Sequence, residues 1–320
     1  MLSDSETECR KNIVVDGQPP AVKQELFRFI ISELERKNIP YDRLCSADGT
    51  AGILWENFLV SDSDFANKNI KISEKISVEK FQNREYINSF NEEIKNILKI
   101  REKNILRGQR FLEACRTVQN DIFRLEEPYI NKAKISRFAS CTWQRITNGM
   151  KGHVGTETKR YVTCLTDGGS ELNMEAFDEY CEKMLVISDR TGSCARLITD
   201  SIRGYALGAG YDVISCPCTA NPETVEHLII PELSFGVFTS KYYHRGDFEN
   251  NRKIYAKRFM YQSAENIKLR TDFSLKAYRS LMNEVFASLE KIRECDRRLN
   301  GIFLPAADMP ALKKHVKNLL

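Results

Sequence analysis

The stretch CEKMLVISDRTGSCARLITDSIRGYALGAGYDVISCPC, Cys181 to Cys218, decides the fold. Its first apolar run leads into a short polar turn, Ser188-Asp189-Arg190-Thr191-Gly192-Ser193-Cys194-Ala195-Arg196. A helix-period segment follows and ends at Gly204 to Gly210, which read as a helix end and its cap. A second apolar run closes the stretch at Cys216-Pro217-Cys218. Strand, turn, helix and strand in that order make an α/β unit, and the turn falls where free N–H groups and the helix dipole favour an anion.

Upstream, the same order is met again. Lys11 to Val15 is a short strand candidate, the breaker cluster DGQPP follows, and Val22, Leu26, Phe29, Ile30 and Leu34 recur at helical spacing to about Arg36. Asn38-Ile39-Pro40 stops the helix, and Tyr41 to Ser46 and Ile53 to Val60 read as two more strands. Alternating strands and helix argue for a parallel sheet. From Lys68 to Glu126 the chain is charged and helix-forming; Ile87 to Leu98 and Ile105 to Phe123 predict two long helices, as a helical hairpin or an insertion, with Gly108 a candidate for a bend.

The two halves correspond. Tyr41-Asp42 before Cys45 matches Tyr211-Asp212 before Cys216, at offsets of 170 and 171 residues. Ile53-Leu54-Trp55-Glu56 answers Ile229-Ile230-Pro231-Glu232, and Tyr129 to Ala133 answers Phe303 to Ala307. A period this long signals a duplicated domain. The expected division is a degenerate, N-terminally shortened domain over 1–148 and a second degenerate domain over 149–320.

Composition narrows the classes. A formal charge of +4, with bases interleaved among acids as in KISEKISVEKFQNREY (71–86), gives no clear nucleic-acid signal and reads as a solvated helix face. No apolar run approaches the ~18 residues of a membrane span. The polar start MLSDSETECRK does not read as a secretory signal, and ten cysteines without one suit a reducing cytoplasm.

The order strand, turn, helix, Gly210-Tyr211-Asp212-Val213 with a nearby cysteine, then Ile229-Ile230-Pro231-Glu232-Leu233, resembles a group of largely uncharacterised bacterial tandem P-loop ATPases. Phe303-Leu304-Pro305-Ala306-Ala307-Asp308 is similar to that group's closing segment, and Arg160 to Thr166 to its lead-in strand. The resemblance covers most of 11–308 and implies an α/β fold of two tandem P-loop NTPase-like domains, each a parallel sheet flanked by helices with a long helical hairpin. It also implies ATP and Mg²⁺ as the ligands of an intact site.

The motif itself is degraded. A P-loop needs glycines that turn N–H groups inward, a Lys for the β/γ oxygens and a Ser/Thr hydroxyl for Mg²⁺. In the second copy the glycine positions hold Ser188, Asp189, Thr191 and Ser193, with Arg190 between them and Gly192 displaced. Cys194 stands at the lysine position and Ala195 at the hydroxyl position. In the first copy Gly17 and Lys23 stay in register, but Val22 replaces the second glycine and Gln24-Glu25 the hydroxyl pair. There Lys23 is either a cation at the helix N-terminus or an ordinary surface lysine. At the strand end where Mg²⁺ would be oriented, the second copy has Thr239; the first has Ser61, with Asp62 one residue late.

Other chemistries find little support. Cys216-Pro217-Cys218 lacks a second cysteine pair for zinc and is not the C-x-x-C of redox enzymes. His153, His227, His244 and His315 show no metal-binding spacing. No catalytic residue and no metal ligand is assigned. The sequence therefore points to a catalytically inactive ATPase-like protein with a regulatory or protein-interaction role through its helices. The alternative is a weak nucleotide binder, or an ATPase using non-standard phosphate-binding residues.

Overall fold

A computed structural model describes residues 11–17, 20–46, 49–63, 72–241 and 252–318. The chain is α/β and forms two compact units. One, the terminal unit, joins Met1–Leu106 to Ser288–Leu320; the central unit is Arg107–Ala287.

In the terminal unit, β1 (Lys11–Asp16) is followed by α1 (Pro20–Arg36) and then β2 (Asp42–Ser46), β3 (Gly49–Trp55), β4 (Phe58–Asp62) and β5 (Glu74–Ser77). The sheet order is β2-β3-β4-β1-β5. The apolar Ile13, Val14 and Val15 place β1 in the buried middle, parallel to β4 and β5. The sheet is mixed, not parallel: β3 runs antiparallel to both β2 and β4. The links on either side of β3 span only two residues, enough for a hairpin and too short for a parallel crossover. For the same reason the expected single strand Ile53 to Val60 is a hairpin that turns at Glu56-Asn57.

The central unit holds β6 (Glu157–Lys159), the separate ribbon β7 (Thr163–Thr166) and β8 (Gly169–Leu172), and β9 (Lys183–Ser188), with β10 (Val213–Cys218), β11 (Asn221–Ile230), β12 (Phe235–Ser240) and β13 (Arg252–Tyr255) after it. Its main sheet runs β13-β9-β12-β11-β10-β6. Apart from β6, this repeats the first sheet strand for strand, including the antiparallel third strand. The expected lead-in strand near Arg160 to Thr166 lies in the β7–β8 ribbon, outside the main sheet.

Two long helices follow the sheets, one per half. What periodicity split into a hairpin is α2 (Arg84–Ser89) and then one unbroken 36-residue helix, α3 (Asn91–Glu126). Gly108 lies inside it without ending it; a helical glycine costs only about 1 kcal/mol, which packing can offset. The second half has one 39-residue helix, α7 (Lys268–Ala306). Within the terminal unit Ile94 and Ile97 pack with Cys295, Leu299 and Ile302. Within the central unit Cys115 packs with Met282.

The sheets are closed by exchanged helices. After α3 comes α4 (Lys132–Ile146), whose Ile135 and Ala139 pack into the central core beside Ile198 and Ile202 of α6 (Ser193–Gly208). After α7 comes α8 (Met309–Lys317), whose Leu312 and Val316 enter the terminal core with Phe27 and Ile30 of α1. The joints match: Asn131 N donates to Phe259 O at 2.8 Å, and Asp308 N to Phe81 O at 2.7 Å. Asn131 and Asp308 both cap the helix they begin, through the backbone N–H groups of Lys134 and Ala311. Asn131 thus corresponds to Asp308, a register different from the expected match of Tyr129 with Phe303. The compact units accordingly do not follow a cut after residue 148, because α4 packs in the central unit and α8 in the terminal one.

Leu312→Ala is expected to cost about 2–5 kcal/mol, the range for emptying a buried leucine site. Hydrogen exchange should locate the lost protection in β1 and α1, some 300 residues upstream; protection lost in α8 alone would contradict this packing.

Candidate functional site

The turn between β9 and α6 is closed by its own side chain. Ser188 pairs with Ser240 on β12, and Asp189 N donates to Ser240 O at 3.0 Å, which sends the Asp189 side chain under the first turn of α6. The carboxylate is 5% exposed. Its Oδ2 accepts from Ala195 N at 2.9 Å, and its Oδ1 from Thr191 N at 3.2 Å. An internal anion therefore takes the helix N-terminus, which stabilises a negative charge through free N–H groups and the dipole.

Thr191 Oγ1 lies 3.1 Å from Asp189 Oδ1 and 2.7 Å from Glu126 Oε2, at the end of α3. One hydroxyl proton cannot serve two carboxylates. Thr191 donates to one of them at a time, while its own oxygen faces Ser193 N at 3.5 Å. Burial pushes the Glu126 carboxyl above its ordinary value, against the pull of the Thr191 and Ser193 hydroxyls.

No helix residue supplies a cation here; Lys241, just beyond β12, does. Gly192 has φ +84°, and a Cβ there would collide with Lys241 Cε, so the lysine chain lies across the turn. Its Nζ is 2.7 Å from Glu226 Oε1, and the Glu226 side chain is 1% exposed. Burial opposes the Lys241 charge, but Glu226, Cys218 and Asp189 outweigh it and raise its pKa. Cys194, at the lysine position, is a buried thiol pushed far up by burial and by Asp189 and Glu126. Ala195 is wholly buried, Ser193 is 3% exposed, and Arg190 turns out to an ion pair with Asp272. The cavity against Arg190, Thr191, Glu226 and Lys241 holds about 50 Å³. That is room for a few waters, against the roughly 300 Å³ or more of a nucleotide-sized pocket.

The terminal unit keeps its charges differently. Gly17 has φ +111°, and a Cβ there would come within 2.9 Å of Val78 Cγ2. Val22 is completely buried in the core, and Gln24 is half-buried. Lys23 is not a surface lysine: its side chain is 2% exposed and its Nζ lies 2.7 Å from Asp62 Oδ1. Asp62 is not displaced to the wrong face either. It pairs across β1 with Val15 as Thr239 pairs with Ile187 across β9, the same station at the strand end when Lys11–Asp16 is laid on Lys183–Ser188. Thr239 itself is turned inward, its Oγ1 donating to Glu226 O at 2.7 Å. Asp16, at the end of β1, is held below the usual carboxylate range by Lys75.

The structure thus brings Gly17 and Lys23 to one turn and the residues from Ser188 to Ala195 to another. Sequence reasoning set Asp62 aside as one residue late and missed Glu126, Glu226 and Lys241. Only Asp62 had a local signal, its place at a strand end; the others arrive from distant elements. His227 is buried and stacks on Phe238 at 4.4 Å, while His244 lies outside the described residues. Among the described residues no group of three or more His, Cys, Asp or Glu side chains could hold a metal ion, and no helix is long and apolar enough to cross a membrane. No protein-family model, curated protein or solved structure matches the chain.

Lys23→Met and Asp62→Asn should each destabilise by about 3–5 kcal/mol, because each strands a buried charge or its polar partner. The double variant should recover much of this, and a double-mutant cycle in urea measures the coupling. Glu126 carries a pH signature. Its folded pKa is raised, so the native state holds the proton more tightly than the unfolded chain. The associated stability is complete below the ordinary carboxylate pKa and is lost as pH rises through the raised one. Glu126→Gln, which cannot ionise, should remove that loss and flatten stability against pH above the ordinary glutamate range. An unchanged slope would contradict the raised pKa.

Proposed function

We propose that both halves are P-loop-like domains whose phosphate sites are filled from within, and that the chain is a noncatalytic, ATPase-like protein with a regulatory or protein-interaction role. The observation that carries this reading is the Asp189 carboxylate seated on the Ala195 N–H. A bound phosphate would need the same N–H groups and would meet a fixed negative charge there. Cys194 and Ala195 stand where the motif requires a lysine and a hydroxyl, and the Thr191 and Ser193 hydroxyls are turned to Glu126. The repeated strand order supports the tandem arrangement, and its place after a central strand supports the likeness of the turn to a phosphate loop.

The first copy favours a second reading, weak nucleotide binding. Lys23 and Asp62 stand together there, with Gly17 just after β1, a cation in the first turn of a helix and an acid at the neighbouring strand end. Against it, Val22 fills the second glycine position, and the Lys23 charge is already met by Asp62. ATP and Mg²⁺ would be the ligands of such a site.

A thermal-shift titration separates the two. A ligand at about a hundred times its Kd stabilises the native state by ~2.7 kcal/mol, a shift of several degrees. The noncatalytic reading expects no shift with Mg-ATP at millimolar concentration and no phosphate release above a heat-killed control. A shift abolished by Lys23→Ala would establish the binder, and phosphate release abolished by it would overturn the noncatalytic reading.

A further inference from the structure

Residues 132–146 contain Lys132, Lys134, Arg137 and Arg145 and no carboxylate; residues 252–261 contain Arg252, Lys253, Lys257 and Arg258, again without one. These eight cations are twice the formal charge of the whole chain, +4. The central unit joins the two segments. Ile130 bridges Met260, Lys134 Nζ donates to Arg258 O at 2.6 Å, and the guanidiniums of Arg252 and Arg258 lie 5.3 and 5.8 Å from the centre of the Phe138 ring. All eight are exposed. Lys132 pairs with Glu127; among the described residues the other seven have no carboxylate partner.

A cluster of this size, with one ion pair among the described residues, repels itself and attracts an external polyanion. Its form points to the kind. β13 is the edge of the main sheet, and its side chains alternate, with Arg252 toward α4 and Lys253 with Tyr255 on the opposite face, so the charge wraps the edge as a band. The large apolar side chains exposed in these segments are Tyr255 at 63% and Tyr261 at 49%. A membrane-docking face presents Trp, Phe or Leu for insertion. Cations that follow a backbone, with exposed aromatic faces between them, suit phosphates and unstacked bases.

We propose that the α4–β13 edge of the central unit binds single-stranded nucleic acid, with Lys134, Arg137, Arg252, Lys253, Lys257 and Arg258 on phosphates and Tyr255 stacking on a base. The surface shares no residue with either turn, although Tyr255 pairs with Ser188 at the start of the central one, and it does not require nucleotide at either.

The test is fluorescence anisotropy of the full chain with a labelled single-stranded oligonucleotide of about 20 nucleotides, titrated at several salt concentrations. Binding should weaken with salt, each phosphate contact adding ~0.7 to the log–log slope. Arg252→Ala with Arg258→Ala should weaken binding at least about tenfold and lower the slope by about 1.4. Lys253→Ala with Lys257→Ala, both exposed, should do the same without touching the Phe138 contact. Tyr255→Ala should cost about 5- to 150-fold with the slope unchanged, the range for one base stack. Lys95→Ala with Lys291→Ala, outside the edge, should change affinity by less than about twofold. No binding at about 50 mM salt would overturn the proposal. So would indifference to both edge pairs, or equal affinity for anionic vesicles or polyglutamate.

Discussion

Each sheet depends on a helix delivered by the other half of the sequence. Without α4, the Ile198 and Ile202 face of α6 would lack Ile135 and Ala139; without α8, the Phe27 and Ile30 face of α1 would lack Leu312 and Val316. A buried aliphatic side chain contributes about 1.5–3 kcal/mol, so either helix carries a large part of an ordinary domain's net stability. Each closing helix follows a long one in the chain, of 36 residues before α4 and of 39 before α8.

The same economy governs the two turns. A helix N-terminus beside a strand end offers donors and positive potential. In the central unit these are used by Asp189, and the nearby lysine is held by Glu226. In the terminal unit Lys23 is held by Asp62. The solutions differ in residue and origin yet reach the same state, a turn whose charges are met within the fold. Buried pairs of this kind add little net stability over apolar packing, but removing one member is costly. They lock the turn without making the protein much more stable.

Much of the architecture was legible. Val22, Leu26, Ile30 and Leu34 marked α1, the Tyr-Asp repeat marked the two sheets, and Asp189 stood out as the wrong charge for a phosphate loop. The failures share a cause: periodicity reports which face is buried, not what buries it. Ile87 to Phe123 could be read as two helices because nothing local distinguishes a glycine that bends from one that packs. Ile53 to Val60 looked like one strand because the Glu56-Asn57 turn contains neither glycine nor proline; Glu56 takes φ +42° unaided. The helix exchange and the Lys241–Glu226 and Thr191–Glu126 contacts join residues far apart in sequence, where spacing rules carry no information.

Charge distribution brings these points together. Composition gave a nearly neutral chain, and a stretch such as residues 71–86 showed acids and bases interleaved. Folding does not keep that mixture. At the turns it draws Lys23 and Lys241 inward against Asp62 and Glu226, cancelling their fields close to the source. At the α4–β13 edge it does the opposite, gathering cations from both halves of the chain with Glu127 as the one paired carboxylate among the described residues. At physiological salt a field fades over ~8 Å, so dispersed surface charges act singly while a gathered set acts as one. The electrostatic surface the central unit shows a partner at that edge is therefore set by the helix exchange, which places α4 there, and not by the chain's net charge.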